Sequence, residues 1–437
     1  MARLSACLCV TAALVLGAAG EARAAFGFRA MWGSAGSAPG QFGTANGIAV
    51  DLRGDVYVGD QVNHRVQKFT STGRFVTAWG TPGAAPGQFN DPYGVAVDGW
   101  GDVYVADAHN NRIQKFTSTG RFLAAWGTLG TAPGQFNEPR GVAVDDVGNV
   151  YVADHGNHRI QKLSPTGRFL AKWGRNGGDG SAGPGPGEFN QPRGMAIDRA
   201  GNIYVAEKLN HRVQELAPNG AFIRQWGGFG AAPGQLNLPY SVAIDGAGDL
   251  YVADVRNNRI QKFGPTGRLL ARYGRNGGDG TAGAGPGEFD EPYGVAVDCH
   301  SSLYVAEEGN ERVQKLGLPD STAPRCPPVL SVKLDAAQRA IAHGGLTASI
   351  SCDHPCTATL AGTITRAGAH ALSARVVRRE LMPGRPASVR VVLTRAQLRS
   401  LAQALRAGQR PQATLTATAR GFAGRARAVR RLVRVAR

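Results

Sequence analysis

The sequence predicts an all-β fold, a closed six-bladed β-propeller followed by a small β-sandwich-like domain with one helix. Three observations predict it. A phrase, clearest from Glu138 to Gly174 as EPRGVAVDDVGNVYVADHGNHRIQKLSPTGRFLAKWG, recurs six times. Within it the runs GVAVD, NVYVAD, RIQKL and RFLAKWG alternate side chains with period two between Gly, Asn, Asp or Pro turns. That is the pattern of four short strands and leaves no space for a helix. The sixth copy stops at Gly317 without its fourth run, while Phe26 to Gly33, FGFRAMWG, matches that run and precedes the first copy. An N-terminal segment sewn in as the outer strand of the last unit closes the ring and removes an open sheet edge.

The register follows from the acidic residue that closes the second run. It falls at Asp60, Asp107, Asp154, Glu207, Asp254 and Glu307, at spacings of 47, 47, 53, 47 and 53. The two long spacings carry RNGGDGSAGPGPGEF from Arg175 and RNGGDGTAGAGPGEF from Arg275, where other links read like TLGTAPGQF. Insertions confined to one link place the variable loops on one face of the array.

In chain order, residues 1–24 read as a secretory signal: Arg3 is the positive start, Leu4 to Gly20 is apolar, and Ala22-Arg23-Ala24 is a small-x-small cleavage pattern. A membrane anchor is the rival, but the apolar run is short and no stop-transfer flank follows it. Leu4-Ser5-Ala6-Cys7 resembles a lipobox but precedes the apolar run. No other stretch can span a membrane as a helix. Residues 25–317 are the ring, 318–328 a Pro-rich linker (LPDSTAPRCPP), and 329–437 a basic β-rich module.

Each repeated residue in the ring has a structural reason. The Gly of GVAVD opens the innermost strand, where six units converge. Val and Ile fill the faces between units. The acidic residue and the Arg five positions later flank a tight turn and can meet across it: Asp60 with Arg65, Asp107 with Arg112, Asp154 with Arg159, Glu207 with Arg212, Asp254 with Arg259, and Glu307 with Arg312. Asn157 is expected at the positive-φ position of that turn. Trp79, Trp126, Trp173 and Trp226, with Tyr273 in the fifth unit, close the outer strands and are expected to pack between units.

The turn triplets are Asn63-His64-Arg65, Asn110-Asn111-Arg112, Asn157-His158-Arg159, Asn210-His211-Arg212, Asn257-Asn258-Arg259 and Asn310-Glu311-Arg312. With the glycines, spacing and acid–arginine pairs, residues 26 to 317 resemble the NHL-repeat family of six-bladed β-propellers. Glu207 and Glu307 in place of Asp, Ser241 in place of the inner Gly, and Ala45 in place of Pro are departures. The resemblance implies a rigid platform for proteins, nucleic acid or glycans. Some relatives of that architecture are lyases or lactonases, so fold alone does not choose.

Links and acid-to-Arg turns emerge on one rim. There the residue before the inner Gly or Ser is free to vary, and it is Asn46, Tyr93, Arg140, Arg193, Tyr240 and Tyr293. Three tyrosines and two arginines at a channel mouth suit an anionic or sugar-like partner, by stacking and forked hydrogen bonds. The bland alternative is that they merely cover the rim. Enzyme signatures are weak. The inner strands carry no His, and His64, His158 and His211 belong to the turns. His109 and His155 lie in adjacent units, too few for a zinc site. Asp179 and Asp279 offer one carboxylate each for calcium, with a flexible link the better reading. No metal site, catalytic residue or cofactor is therefore expected, and P-loop, G-x-S-x-G and HExxH patterns are missing.

Beyond Gly317, strands are expected at Val329 to Leu334, Leu346 to Cys352, Thr357 to Thr365, Ser388 to Leu393, Ala413 to Ala419 and Ala426 to Val435. A helix is expected from Thr394 to Gly408. The module loosely resembles immunoglobulin-like sandwiches. Of the chain's 49 basic and 32 acidic residues, 20 and 4 fall in 318–437, while the ring is balanced. Such a basic end suits an anionic cell-envelope polymer, lipid surface or nucleic acid; export argues against nucleic acid. High-GC coding is the rival explanation, since nineteen of those twenty are Arg. Cys299, Cys326, Cys352 and Cys356 allow three pairings, of which Cys352–Cys356 with Cys299–Cys326 is preferred over a metal site of Cys352, His354 and Cys356. The expectation is a secreted or envelope-associated, monomeric, non-catalytic scaffold that binds a protein or glycan on the ring's top face. A lyase or hydrolase acting at the channel mouth is the alternative.

Overall fold

The computed structural model describes residues 26–318 throughout and, beyond them, strands between Leu330 and Ala436 by their backbone. Strand β1 (Gly27–Trp32) begins the described chain but pairs with the last strand of the ring. Four four-stranded blades follow: β2 to β5 (Ala45–Val50, Val56–Asp60, Arg65–Phe69, Phe75–Trp79), β6 to β9 (Pro92–Val97, Val103–Asp107, Arg112–Phe116, Phe122–Trp126), β10 to β13 (Pro139–Val144, Val150–Asp154, Arg159–Leu163, Phe169–Trp173) and β14 to β17 (Pro192–Ile197, Ile203–Glu207, Arg212–Leu216, Phe222–Gly227). The fifth is β18 to β21 (Pro239–Ile244, Leu250–Asp254, Arg259–Phe263, Leu269–Tyr273). The sixth holds β22 to β24 (Pro292–Val297, Leu303–Glu307, Arg312–Gly317) and takes β1 as its outer strand, with Met31 opposite Gln314 and Trp32 opposite Val313. The ring is closed as its sequence requires.

Second strands are buried on both faces, which is why they read Val-Tyr-Val-Ala rather than alternating apolar with polar. Buried residues gather into one apolar cluster per blade interface. Tyr57, Phe89, Val95, Val105 and Phe116 join blades one and two. Phe42, Ile48, Val58, Phe69, Tyr304 and Val313, with Trp32 packed against them, join blades six and one. The seam thus has an apolar cluster like any other interface. Each large side chain buried there stabilises by about 1.5–3 kcal/mol. The outer tryptophans lie across to the next blade as expected: Trp173 donates its indole N–H to the Asn219 carbonyl at 2.9 Å.

Inner strands crowd the axis. A Cβ on Gly141 would sit 1.8 Å from the Arg193 carbonyl oxygen, and one on Gly47 2.2 Å from that of Tyr93. At Ser241, the one departure, the hydroxyl accepts the Val295 N–H at 3.2 Å, so its extra atoms become a contact between blades.

The acid–arginine pair does more than meet across a turn. In blade three the Asp154 carboxylate accepts from Arg159 Nε (2.7 Å), Asn157 Nδ2, Gln161 Nε2 and the backbone N–H of Asn137. The rest of the guanidinium reaches the carbonyls of Thr131, Ala132 and Gln135 in the link from the previous blade. The clamp recurs in all six blades. With Glu207 and Glu307 the same Nε contact measures 2.6 and 2.8 Å. Both glutamates sit behind the two long links, where the longer acid spans the altered path. Gln67, Gln114, Gln161, Gln214, Gln261 and Gln314 are fully buried members of these networks.

Asn157 does not take the positive φ. That falls on the next residue: His64, Asn111, His158, His211, Asn258 and Glu311, at φ of 45° to 53°. Asn157 is held in a short turn of 3-10 helix (His155–Asn157) so that its amide can reach Asp154 and the Gly130 carbonyl. The positive-φ side chain serves the next blade. His158 Nδ1 accepts the Gln191 N–H at 3.1 Å, and Asn111 Oδ1 accepts that of Glu138 at 2.9 Å. His and Asn alternate there because each offers one acceptor at the same reach. The loops after Arg175 and Arg275 are hydrogen-bonded turns rather than open links. Asp179 accepts from Asn176 and Ser181, and Asp279 from Asn276 and Thr281.

Past the ring, β25 (Leu330–Leu334), β27 (Gly345–Cys352) and β31 (Ala387–Val392) form one sheet. The other holds β26 (Ala337–Arg339), β28 (Cys356–Arg366), β29 (Ala369–Ser373), β30 (Val377–Leu381), β32 (Gln412–Gly421) and β33 (Ala426–Ala436). Three of these, β26, β29 and β30, go beyond the expected six. Of the helix expected after Thr394, only Arg399, helical, is described; the remainder, the signal and Cys326 lie outside the described residues. Cys352 and Cys356 close β27 and open β28, with only their backbone described.

A methyl group at the axis tests this packing. Gly141→Ala should cost about 2–3 kcal/mol by overpacking, while Ser241→Ala should cost about 1 kcal/mol or less; chemical denaturation of both variants measures the difference.

Candidate functional site at the channel mouth

All six residues singled out at the rim converge on the axis, because each is the second residue or its equivalent in an inner strand. They do not stand open around a hole. Arg140 lies over one side of the Tyr93 ring (4.7 Å to the centroid) and Arg193 is 5.1 Å from the same ring. Arg193 is also 3.8 Å from the Tyr240 ring, and Tyr240 stacks on Tyr293 at 4.6 Å and 22°. The result is one continuous stack, Arg140, Tyr93, Arg193, Tyr240, Tyr293, drawn from five successive blades. Arg193 donates a hydrogen bond to the Tyr93 hydroxyl across the mouth, so the two side chains plug the channel. Asn46, the sixth, is buried and donates to Gln61 Oε1 at 2.8 Å.

Arg193 is only 6% exposed, yet among the described residues it makes no ion pair. Its Nε is buried without a hydrogen-bond acceptor, and so is the Nε of Arg140. Burial pushes the Arg193 guanidinium below its ordinary range, an effect tempered by the phenols of Tyr240 and Tyr293. Arg140 is half-compensated by Glu138 at 2.9 Å. A buried cation held by rings rather than by a carboxylate is costly to fold around.

A second ring, of which the sequence analysis names only His155, surrounds the plug: the residue after each clamp acid, namely Gln61, Ala108, His155, Lys208, Val255 and Glu308. Its signal was present, since this position also changes in every copy. His155 is buried, shares its Nδ1 with the Pro192 carbonyl (3.3 Å), and is pushed down to about 3 by burial and by Arg140. Lys208 is lowered by burial and then by Arg193, Arg140 and Arg256. Glu308, on the opposite side, is pushed up to about 7 by burial and by Glu291, and its Oε2 is buried without a donor. The top face is therefore divided, basic over blades three and four and acidic over blade six. His109 pairs with Asp91 (3.4 Å), and no cluster of three His, Cys, Asp or Glu suited to a metal occurs among the described residues.

The opposite end of the channel has its own set. Asp51, Asp98, Asp145, Asp198, Asp245 and Asp298 accept two backbone N–H bonds each, as in Asp98 from Trp100 and Asp102. The tyrosine six positions on, such as Tyr104 at 3.0 Å, donates to the same carboxylate. These groups are occupied in holding turns.

Fold and mouth define a six-bladed β-propeller with a plugged axis and a charged, aromatic top face. The NHL repeat model matches residues 42–69, 89–116, 136–163, 189–216 and 236–263, so the ring is an NHL-repeat propeller. Its sixth blade, which needs β1 from the other end of the chain, lies outside those matches. No curated protein matches the chain significantly. Among solved structures, a structural-genomics protein from Bacteroides thetaiotaomicron is 18% identical with a TM-score of 0.52, covering 68% of this chain and 76% of its own. Virginiamycin B lyase from Staphylococcus aureus is 16% identical with a TM-score of 0.45, covering 63% and 95%. A gluconolactonase from Xanthomonas campestris is 16% identical with a TM-score of 0.46, covering 67% and 88%. At these identities the likeness concerns the fold.

Glu308 gives a pH signature. Its folded-state value lies above that of an unfolded glutamate, so the folded protein holds the extra proton. Its contribution to stability is full below about pH 4 and is lost as pH rises through about 7. Glu308→Gln should flatten the fall in melting temperature between pH 5 and pH 8, as read by differential scanning calorimetry.

Proposed function

We propose that the protein is an exported, non-catalytic scaffold whose propeller top face holds a protein or glycan partner. The observation that supports this most is the Arg140–Tyr93–Arg193–Tyr240–Tyr293 stack. Rigid aromatics and arginines are the side chains that anchor partners at small entropic cost. They are fixed here by strands rather than by loops. The channel along the inner strands is lined by neither a histidine nor a carboxylate. In this reading the Arg-rich module associates with an anionic envelope polymer, and Cys299 with Cys326 ties the linker to the sixth blade. No helix of the described residues is long and apolar enough to cross a membrane.

A second reading has one specific observation in its favour. Burial and Glu291 push Glu308 up to about 7, the range in which a general acid or base works. A lyase or hydrolase acting at the mouth would use it.

The test compares the full chain with Arg140→Ala and Arg193→Ala on a glycan array and in pull-downs from envelope extracts. Both variants should stay folded and lose at least tenfold in partner retention. Unchanged retention counts against the platform. Turnover of a captured lactone or glycan that Glu308→Gln abolishes would favour the second reading.

A further inference from the structure

The unpaired charge at the mouth narrows the partner's chemistry. Three cations from two adjacent blades face one another there: Arg140 from β10, Arg193 from β14, and Lys208 in the turn after β15. Only Arg140 has a carboxylate, Glu138, which is itself partly exposed. Arg193 is more than nine-tenths buried, and among the described residues neither it nor Lys208 makes an ion pair. The buried Nε atoms of Arg193 and Arg140, whose guanidiniums lie 5.1 and 4.7 Å from the Tyr93 ring centroid, have no acceptor. One of the guanidinium's acceptors is a neutral phenol, Tyr93, standing where a carboxylate usually does.

Every other buried arginine of the ring is treated differently. Arg159 and Arg259 are fully buried, and each has an aspartate at 2.7 Å and carbonyls for its remaining N–H groups. The fold therefore pairs buried guanidiniums wherever they serve structure. At the mouth it leaves one without a counter-ion and sets two more cations beside it. The charges that face this cluster are Glu138, already bound to Arg140, Arg256, bound to Glu291 at 2.8 Å, and Glu308 across the mouth. His155, the remaining titratable neighbour, is neutral.

We propose that Arg140, Arg193 and Lys208 form a binding site for an oxyanion group, carboxylate or phosphoryl, carried by the partner of the top face. The proposal rests on the platform reading above and adds the chemistry that the platform selects. Arg193 is the buried end of the site, and its forked N–H groups suit an oxyanion's paired oxygens. Lys208, partly exposed, is the entry charge. The stacked rings of Tyr93 and Tyr240 keep the guanidinium oriented before the anion arrives.

The test is isothermal titration of the full chain at 0.15 M salt with three sugars of one shape: glucuronate, glucose 6-phosphate and glucose. Wild-type protein should bind at least one acid with one-to-one stoichiometry and glucose at least tenfold more weakly. Which acid binds tells a carboxylate source from a phosphoryl one. Arg193→Met and Lys208→Met should each weaken the acid at least tenfold, the second being a surface change that leaves the ring folded. Arg431→Ala, in the basic module, should not. Equal binding of the acids by wild type, Arg193→Met and Lys208→Met, or no one-to-one binding of either acid, overturns the site. If acid binding fails while Arg140→Ala and Arg193→Ala still lose the envelope partner, the anion assignment falls and the platform stands.

Discussion

The clamp between each acid and the arginine five residues on is the interaction from which the ring follows. Asp154 and Arg159 are both fully buried, and a pair so buried has lost its hydration. The cost is offset because nearly every donor and acceptor is used: one backbone N–H, one amide from Asn157, one from Gln161, and three carbonyls of the preceding link. The pair therefore does not merely fasten two neighbouring strands. It converts the carbonyls of an irregular link, which would otherwise be left unmet beside a buried surface, into acceptors for one fixed cation. Each link is thereby delivered to the next inner strand in one geometry. The side chains at the mouth inherit their positions from that delivery.

Much of this was legible in the sequence because it is repeated. Six copies of an acid and an arginine at constant spacing, with glycine opening each inner strand, leave little freedom in fold or register. The unmatched FGFRAMWG likewise had only one open edge to fill. What stayed hidden was decided by side-chain direction. Gln161 is present in each copy, yet its strand position reads as an ordinary polar residue until the clamp is seen. Asn157 was expected in the left-handed turn on propensity. The need to aim its amide at Asp154 overrode that, and the left-handed geometry passed to His158. The stack at the mouth could be listed by position but not assembled. Tyr93 and Arg193 lie 100 residues apart and meet only because both cross the axis.

The mouth and the clamps use the same residue type in opposite ways. Arg159 is saturated by its surroundings and has nothing left to offer a ligand. Arg193 is comparably buried but is held by the faces of two rings. Cation–π contacts of this kind are worth about 2 kcal/mol or more when desolvated, set against the several kcal/mol that burying an ion costs. A ring built only for stability would have a neutral side chain here, as blades two, five and six do with tyrosine. Stability given up at an inner-strand position, with packing intact around it, is what the proposed oxyanion site would account for.

The seam between blades six and one shows how little separates the ring from an open array. It has its apolar cluster and its clamp, with Arg65 bound to Asp60 at 2.7 Å and to the carbonyls of Ser37, Ala38 and Gln41. The missing piece is the cap that His or Asn provides at the other five junctions. Glu311 stands in that place, Ala45 replaces the proline, and Thr44 avoids the left-handed backbone that its counterparts adopt. With no donor for its Oε2, Glu311 is pushed up to about 7 by burial and by Glu308 and Asp60. The seam therefore lacks one hydrogen bond and gains a poorly tolerated acid. β1 closes the ring against that deficit, and Glu311 stands near Glu308, the acid of the top face.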